Sequence, residues 1–165
     1  MDLFTAIESR CSIREFENKP VPRNMLEKLV DAGRLAATAR NIQPWKFVAV
    51  DDVPLKKQIA QSTDTGKFIE QAGACIVVLC EDTKYYLEDG SAATQNILLA
   101  ATESGLGTCW VAGDKKPHAQ VIAKLIHAKE TEKVVSIIAV GYPKGQTSRK
   151  EKKSLKDVLF WNKAP

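Results

Sequence analysis

The amino-acid sequence predicts an α+β protein, in which helices flank a central mixed β-sheet. Two patterns lead to this prediction: segments of helical periodicity alternate with short apolar runs, and no tight hairpin joins any two of those runs. The length favours one folding unit, because 165 residues and 18.2 kDa are typical of a single domain. We therefore expect one domain over residues 1–165, with residues 144–165 as a C-terminal arm.

Five segments are predicted to be helical, because apolar residues recur at helical spacing or a capping residue or proline marks the first turn. They are Asp2–Arg10, a segment that begins at Pro22, a segment that begins at Pro54, Ala92–Glu103 and Pro117–Ala128. Asp2 is expected to cap the first of them. Gly105 is expected to end the fourth, because glycine accepts the left-handed backbone found at helix C-termini.

The predicted strands are Trp45–Val50, Ala74–Cys80 and Val134–Val140, and Cys109–Val111 is predicted to be a short strand or a loop. The run Ala74–Cys80 is continuously apolar, which is typical of a strand buried on both faces, and Val134–Val140 is also expected to be a buried strand. The C-terminal arm is polar and basic but ends in the apolar residues Val158–Trp161. An apolar cluster at the end of a tail is expected to dock either on this core or on a partner chain.

Composition argues against several functional classes. The chain has 24 Lys and Arg against 20 Asp and Glu, a net charge of +4, and its basic spots are short, so we expect no nucleic-acid partner. No apolar run approaches the ~20 residues that a membrane helix needs, and the N-terminus lacks a secretory signal, so we expect a cytoplasmic protein without a membrane partner. The four cysteines form no CxxC pair, and we expect reduced, buried thiols and no metal site.

The segment Arg10–Phe16 carries the sharpest chemical signal. In an extended chain Arg10, Ser12 and Arg14 project to one side, while Cys11 and Ile13 project to the other and anchor the segment. Guanidinium groups bind phosphate oxygens bidentately and a serine hydroxyl donates a further hydrogen bond, so the pattern fits a phosphate site. A solvated basic edge with an incidental serine is the alternative that the spacing leaves open.

The segment Thr38–Trp45 carries a second signal. Pro44 disfavours the helical conformation at Gln43, so the segment is expected to be extended or turned. Asn41 and Gln43 then present amides to the same side, and an amide offers the donors and the acceptor that suit a heterocycle with carbonyl and N–H groups. A helix cap followed by a turn is the alternative.

Taken together, these segments resemble the nitroreductase family of flavin-dependent oxidoreductases. The family's opening motif corresponds to Arg10, Ser12, Arg14 and Phe16, and its second motif to Thr38 and Asn41–Trp45. Gln95–Trp110 resembles the family's central helix and the following loop. Gly141–Pro143 and the basic stretch Arg149–Lys153 resemble its ending, so the resemblance spans nearly the whole chain in order. Two departures stand out: Ala37-Thr38 replaces a common Pro-Ser, and lysines stand where arginine is common in the tail.

The resemblance implies a nitroreductase-like fold that forms an intertwined homodimer with shared flavin sites and one FMN per subunit. It implies binding of the phosphate, ribityl chain and ring by residues from several parts of the chain. These residues are Arg10, Ser12, Arg14, Lys67, Ala112, Gly113, Lys150 and Lys152, joined from the other subunit by Thr38, Asn41 and Gln43. Among them, Arg14 and Lys67 would place positive charge near the ring, and Ala112 and Gly113 would offer a backbone N–H to N5.

The implied function is that of an FMN-dependent oxidoreductase that takes hydride from NADH or NADPH. A small-molecule electron acceptor, such as a nitroaromatic or a quinone, would then enter the same pocket in a ping-pong mechanism. The cofactor performs the redox chemistry, so no side chain is expected to act as a catalytic acid or base. A non-enzymatic flavin-binding or flavin-storage protein uses the same binding residues and is the main alternative. A basic nucleic-acid-binding domain is a further alternative, which predicts salt-sensitive binding through Arg149–Lys153.

Overall fold

A four-stranded sheet forms the centre of the computed structural model, which describes residues 1–145 and 149–164. The strands are β1 (Trp45–Val50), β2 (Ala74–Glu81), β3 (Gly107–Ala112) and β4 (Glu132–Gly141). They lie in the order β1-β2-β4-β3, and each neighbouring pair is antiparallel. A parallel bridge between Ser12 and Thr108 extends the sheet beyond β3, so the predicted mixed sheet is antiparallel in its four strands and parallel only at this bridge.

Five α-helices surround the sheet: α1 (Leu3–Ser9), α2 (Arg23–Arg34), α3 (Val53–Ser62), α4 (Tyr86–Glu103) and α5 (Pro117–Leu125). The capping predictions are confirmed, because the Asp2 carboxylate accepts a hydrogen bond from the Thr5 N–H at 3.1 Å and Gly105 has a φ of +74°. Among the described residues, no helix has both the length and the apolar character needed to cross a membrane.

Two helix boundaries differ from the prediction by three residues or more. Helix α4 begins at Tyr86 rather than Ala92, and its added part contains Gly90, a poor helix former. A Cβ at Gly90 would lie 2.7 Å from a methyl group of Val135, so this glycine lets α4 approach β4 closely. Helix α5 ends at Leu125 rather than Ala128, and the left-handed backbone of His127, with a φ of +55°, follows its end.

The sheet separates two apolar layers. On one face the core packs with α3 and α5, and on the other it packs with α2 and α4. Strand β2 is buried along nearly its whole length because both of its faces are covered, as its continuous apolar run predicts. Cys75 and Cys80 belong to opposite layers, and burial raises the pKa of each thiol to about 12.

The C-terminal arm ends in side chains that this chain does not cover. Residues 149–164 are exposed throughout, and the apolar Val158–Trp161 follows a short helical turn at Leu155–Asp157. Trp161 is 81% exposed and Phe160 is 49% exposed, so this apolar end of the arm is not covered by the chain's own core. Docking of the apolar end on a partner chain stays a prediction. Part of the predicted arm, residues 146–148 and 165, lies outside the described residues.

Candidate functional site

The segment that follows α1 is extended along the open edge of β3, as the sequence predicts. The Ile13 N–H donates to the Thr108 carbonyl at 2.8 Å, and Ser12 bridges to Thr108. Ile13 is buried, while Ser12 and Arg14 are exposed. A Cβ at Gly107 would lie 2.7 Å from the Ile13 side chain, so the absence of a side chain at position 107 allows the segment to lie against the strand. The fold thus fixes the backbone that carries Arg10 and Arg14.

A small cavity of about 180 Å³, which we call the basic pocket, lies beside this segment. Both ends of the chain line it. Its lining residues are Arg10, Cys11, Ser12, Arg14, Arg149, Lys150 and Lys152. In residues 1–145 and 149–164, none of the five cationic side chains lies within 4.0 Å of a carboxylate oxygen. Five like charges without a counter-ion repel one another, so the pocket is suited to an anion.

Arg149 belongs to the basic pocket but was absent from the predicted site residues. Its Nη1 donates to the Glu8 carbonyl at 2.7 Å, which holds the arm against the C-terminal end of α1. The available signal was its position at the start of the basic stretch Arg149–Lys153. Lys150 and Lys152, the two predicted residues of the arm, line the pocket. Arg149 adds a guanidinium group to these two ammonium groups.

A buried thiol lies under the positive charge of this site. Cys109 is buried, and desolvation raises the pKa of its thiol. Three other effects lower the same pKa: the charge of Arg14, a hydrogen bond from the Ser12 side chain and the charge of Arg10. The burial of Cys109 makes it a packing residue that is poorly suited to act as a nucleophile.

Arg14 connects the basic pocket to a second pocket of about 560 Å³, which Lys67 and Phe68 also line. The Arg14 guanidinium carbon lies 5.9 Å from the centroid of the Phe68 ring, within the range of a cation–π contact. The Lys67 ammonium donates to the Gln61 carbonyl at 2.8 Å, which holds it near the turn at Lys67–Gln71. The structure therefore brings Arg14 and Lys67 to one pocket.

The loop with Thr38, Asn41 and Gln43 lies elsewhere, since none of these residues lines either pocket. The side-chain Oδ1 of Asn41 accepts a hydrogen bond from the side-chain Nε2 of Gln43 at 3.1 Å, so the two side-chain amides meet. The loop is turned rather than extended, because φ is +57° at Asn41 and +53° at Gln43. Gln43 avoids the right-handed helical region that Pro44 disfavours, but it adopts a left-handed rather than an extended backbone.

The Thr38 hydroxyl is engaged in holding this loop together. It donates to the Asp89 carboxylate at 3.0 Å and accepts from the Gln43 N–H at 3.2 Å. The Ala39 N–H also donates to Asp89, at 3.0 Å. Asp89 is buried at the start of α4, so the loop is fixed to that helix and presents the Asn41 and Gln43 side chains outward.

At the far end of β3, Ala112 and Gly113 differ in which way their N–H groups point. The Gly113 N–H donates to the Val135 carbonyl at 3.0 Å and is therefore engaged within the sheet. That Gly113 lies near a flavin ring stays a prediction. Bonding directions alternate along an antiparallel strand, so the Ala112 N–H points away from β4, toward the open edge. The Ala112 carbonyl meets the His118 Nε2 at 2.8 Å. Ala112 is thus the better of the two predicted backbone donors.

A family model described as "Nitroreductase family" matches residues 7–81, and one described as "Putative TM nitroreductase" matches residues 55–165. A relative from Archaeoglobus fulgidus, named "Putative NADH dehydrogenase/NAD(P)H nitroreductase", is 34% identical over 148 residues, which cover 85% of this chain and 84% of the relative. The chain belongs to the nitroreductase family.

Solved structures agree in fold along nearly the whole chain. The "FMN-dependent Nitroreductase" from Clostridium difficile R20291 superposes with a TM-score of 0.90 and 26% identity, covering 96% of this chain and 99% of that chain. A protein from Bacteroides thetaiotaomicron with the same name as the Archaeoglobus relative gives a TM-score of 0.92 and 31% identity, with 96% of each chain covered. The predicted nitroreductase-like fold is confirmed.

Proposed function

We propose that this protein is an FMN-dependent oxidoreductase that takes hydride from NADH or NADPH and passes it to a small electron acceptor. Family membership supports the reaction class. The names of the Archaeoglobus and Clostridium relatives support a nicotinamide donor and FMN respectively. A nitroaromatic or quinone acceptor belongs to the proposal through the family resemblance.

The basic pocket is the observation that carries the proposal. A phosphate monoester brings up to two negative charges and several acceptor oxygens, which suit a pocket with three guanidinium groups, two ammonium groups and a hydroxyl. A buried hydroxyl at the same edge, Thr108 Oγ1, has no hydrogen-bond partner among the described residues. An unpaired buried polar atom costs about 1–3 kcal/mol, so a polar ligand or water at this edge would relieve the deficit. The residues present fit the phosphate end of FMN.

The open edge of β3 suits the ring end. Ser12 bridges to Thr108 near the start of β3, and Ala112 lies at the other end of this strand. The outward N–H of Ala112 is a hydrogen-bond donor there. Arg14 and Lys67 supply positive charge next to the basic pocket, which favours negative charge on the pyrimidine part of a ring held there. When bound, FMN supplies the hydride-accepting and hydride-donating chemistry. The chain's own task is then to bind, orient and electrostatically tune the ring, without a catalytic acid or base.

The proposal includes a ping-pong order, in which the nicotinamide donor leaves before the acceptor enters the same space. It also includes a homodimer with shared flavin sites, in which Thr38, Asn41 and Gln43 of one subunit reach the flavin of the other. Exposed apolar side chains on α1, with Phe4 74% exposed, and on the arm support an interface of this kind. A cytoplasmic location is the remaining part, and four free cysteines are typical of such proteins.

A spectrum of the purified protein tests the cofactor, and a turnover assay tests the reaction. We expect a yellow protein that releases FMN on denaturation, and steady oxidation of NADH or NADPH when a quinone such as menadione is added. A colourless protein that takes up no FMN would overturn the proposal. A flavin-loaded protein that oxidises neither nucleotide would instead identify a flavin-storage protein.

A further inference from the structure

A large cavity lies at the opposite end of β3 from the basic pocket. It has a volume of about 940 Å³ and lies between the turn that leads from β3 into α5 and the turn that leads from α5 into β4. Asp114, two residues after Ala112, forms part of its wall. The cavity therefore adjoins the end of the strand at which the proposed flavin ring would lie. We call it the lysine cleft, after Lys115, Lys116, Lys124, Lys129 and Lys133 in its lining.

Three of these lysines have no ion-pair partner in the part of the chain that the structure describes. Lys115 lies 4.0 Å from Asp114 and Lys133 lies 3.1 Å from Asp82, whereas Lys116, Lys124 and Lys129 form no ion pair there. The three lysines without an ion-pair partner leave positive charge available to a ligand.

The cleft also contains three carboxylates, and two of them are engaged. Asp114 accepts a hydrogen bond from the Tyr86 hydroxyl at 2.6 Å, and this bond is the main cause that raises the pKa of Tyr86 to about 12. Glu132 pairs with Lys46 and accepts from the Lys129 N–H at 2.9 Å. Glu130 is the remaining carboxylate, and it opposes anion binding.

The lining beneath the lysines is small and apolar. Ala119, Ala123, Ala128 and Val134 contribute short side chains, which leave room for a flat group between the two turns. A surface of this kind can contact an aromatic base, while the lysines reach phosphate oxygens at its rim. The combination fits a purine nucleotide better than it fits an inorganic anion, which would make no use of the apolar part.

We propose that the lysine cleft binds the adenosine-phosphate half of the nicotinamide donor and that Lys116 and Lys124 favour NADPH over NADH through its 2′-phosphate. This inference rests on the proposed function, because it places the nicotinamide at the flavin ring near Ala112. The 2′-phosphate is the only group that NADPH has and NADH lacks, so lysines that contact it act on one nucleotide and leave the other unaffected.

The test compares FMN-loaded wild-type protein with Lys116→Gln/Lys124→Gln. Reduction is followed without oxygen through the loss of the visible flavin absorbance, at increasing concentrations of NADPH or NADH. We expect the apparent Kd for NADPH to rise about tenfold or more, the scale of one charged contact, while that for NADH changes little. The limiting rate and the FMN content should not change. Lys28→Gln/Lys163→Gln removes the same charge at two positions that do not line the cleft and should leave the binding of both nucleotides unaffected.

Two further measurements keep the inference distinct from the proposed reaction. Glu130→Gln should tighten NADPH binding, because it removes the opposing carboxylate. Calorimetry with adenosine 2′,5′-bisphosphate needs no turnover, and it should show binding that adenosine 5′-monophosphate does not match and that the double variant weakens. Equal loss of NADPH and NADH binding in the double variant would overturn the inference. Absence of bisphosphate binding would also overturn it and would direct attention to an acidic protein partner. A flavin-loaded protein that binds the bisphosphate but oxidises neither nucleotide would overturn the proposed reaction alone.

Discussion

At the scale of single residues, Arg10 provides a direct test of the proposed phosphate site. Arg10 lines the basic pocket and also the neighbouring pocket that contains Trp110. It is the C-cap residue of α1. A guanidinium that donates to a phosphate contributes roughly 1.5–3 kcal/mol, the range for hydrogen bonds to charged groups.

Replacement of Arg10 by Ala should therefore weaken FMN binding by about 1.5–3 kcal/mol without unfolding the protein. Quenching of FMN fluorescence on titration with apoprotein measures the affinity. Arg34→Ala is the matched control, because Arg34 pairs with Asp31 on α2 and lines neither pocket of the site. An unchanged affinity for Arg10→Ala would remove Arg10 from the site.

Lys46 makes the stability of the protein depend on pH. Its ammonium pairs with Glu132 and lies 3.1 Å from Glu81, and these hydrogen bonds lower the pKa of both carboxyl groups below 4.5. Because these pKa values are lower in the folded state, the stabilisation is complete above pH 4.5 and is lost as pH falls through the lowered values.

Lys46→Gln should reduce the free energy of unfolding at neutral pH and should flatten its decline on acidification. Urea unfolding at neutral pH and below pH 4.5 measures both effects. Lys57→Gln is the control, because it removes a lysine from an exposed ion pair with Glu70, 3.4 Å apart. The free energy of unfolding of this variant should decline with falling pH as steeply as that of the wild type. If Lys46→Gln and the wild type lose stability in parallel, the pair does not control the acid sensitivity.

At the scale of elements, the contact between the segment Arg10–Arg14 and strand β3 determines the site. Gly107→Ala places a methyl group 2.7 Å from Ile13, in a buried contact that cannot accept it without movement. We expect lower stability and, because the segment must move away from the strand, weaker FMN binding. Ile13→Ala in the same chain removes two of the three contacting atoms and should restore part of the FMN affinity. Loss of stability with unchanged FMN affinity would show that the segment's position is not set by this contact.

Elements with local signals could be predicted from the sequence. The apolar runs in β2 and β4, the Asp2 cap and the stop at Gly105 depend on residues close in the chain. The first part of α4 could not be predicted, because Gly90 is tolerated there only through its close approach to Val135, a residue distant in sequence. Likewise, the engagement of the Gly113 N–H depends on the register between β3 and β4, which no local pattern reveals.

The site shows the same division. Arg10, Ser12 and Arg14 could be identified because alternate spacing in an extended segment is a local property. Arg149 was missed, because its place in the pocket depends on an arm that returns to the end of α1. The left-handed turn at Asn41 and Gln43 accompanies the anchoring of the loop to α4 through Thr38 and Asp89, which the sequence does not show.

At the scale of the whole molecule, the exposed end of the arm is expected to make the dimer obligate. A chain truncated after Ser154 keeps Arg149–Lys152 but loses the exposed apolar residues Val158–Trp161. Light scattering should detect monomers or aggregates for the truncated chain. Lys163→Ala retains the apolar residues and serves as the control that should remain dimeric. A truncated chain that is monomeric, well folded and loaded with flavin would contradict an obligate dimer.

Complementation tests whether two subunits share one flavin site. In a heterodimer of Asn41→Leu and Arg10→Ala chains, one site carries both changes and the other carries neither, if the two residues serve a site from opposite chains. Each parental dimer has one change in both of its sites. Mixed dimers should therefore recover about half of the wild-type activity per dimer. Mixed dimers as inactive as the parents would show that Asn41 and Arg10 act within the same chain.

The bond between Arg149 and the Glu8 carbonyl has a consequence for biosynthesis. It joins the arm to the first helix, and the basic pocket needs residues from both ends of the chain, Arg10–Arg14 and Arg149–Lys152. A nascent chain whose last residues have not yet been synthesised has only the N-terminal part of the pocket. That part carries two of the five cations, Arg10 and Arg14. If the basic pocket holds the FMN phosphate as proposed, we expect tight FMN loading only after translation has passed residue 152. We then also expect chains that terminate before this point to bind little flavin.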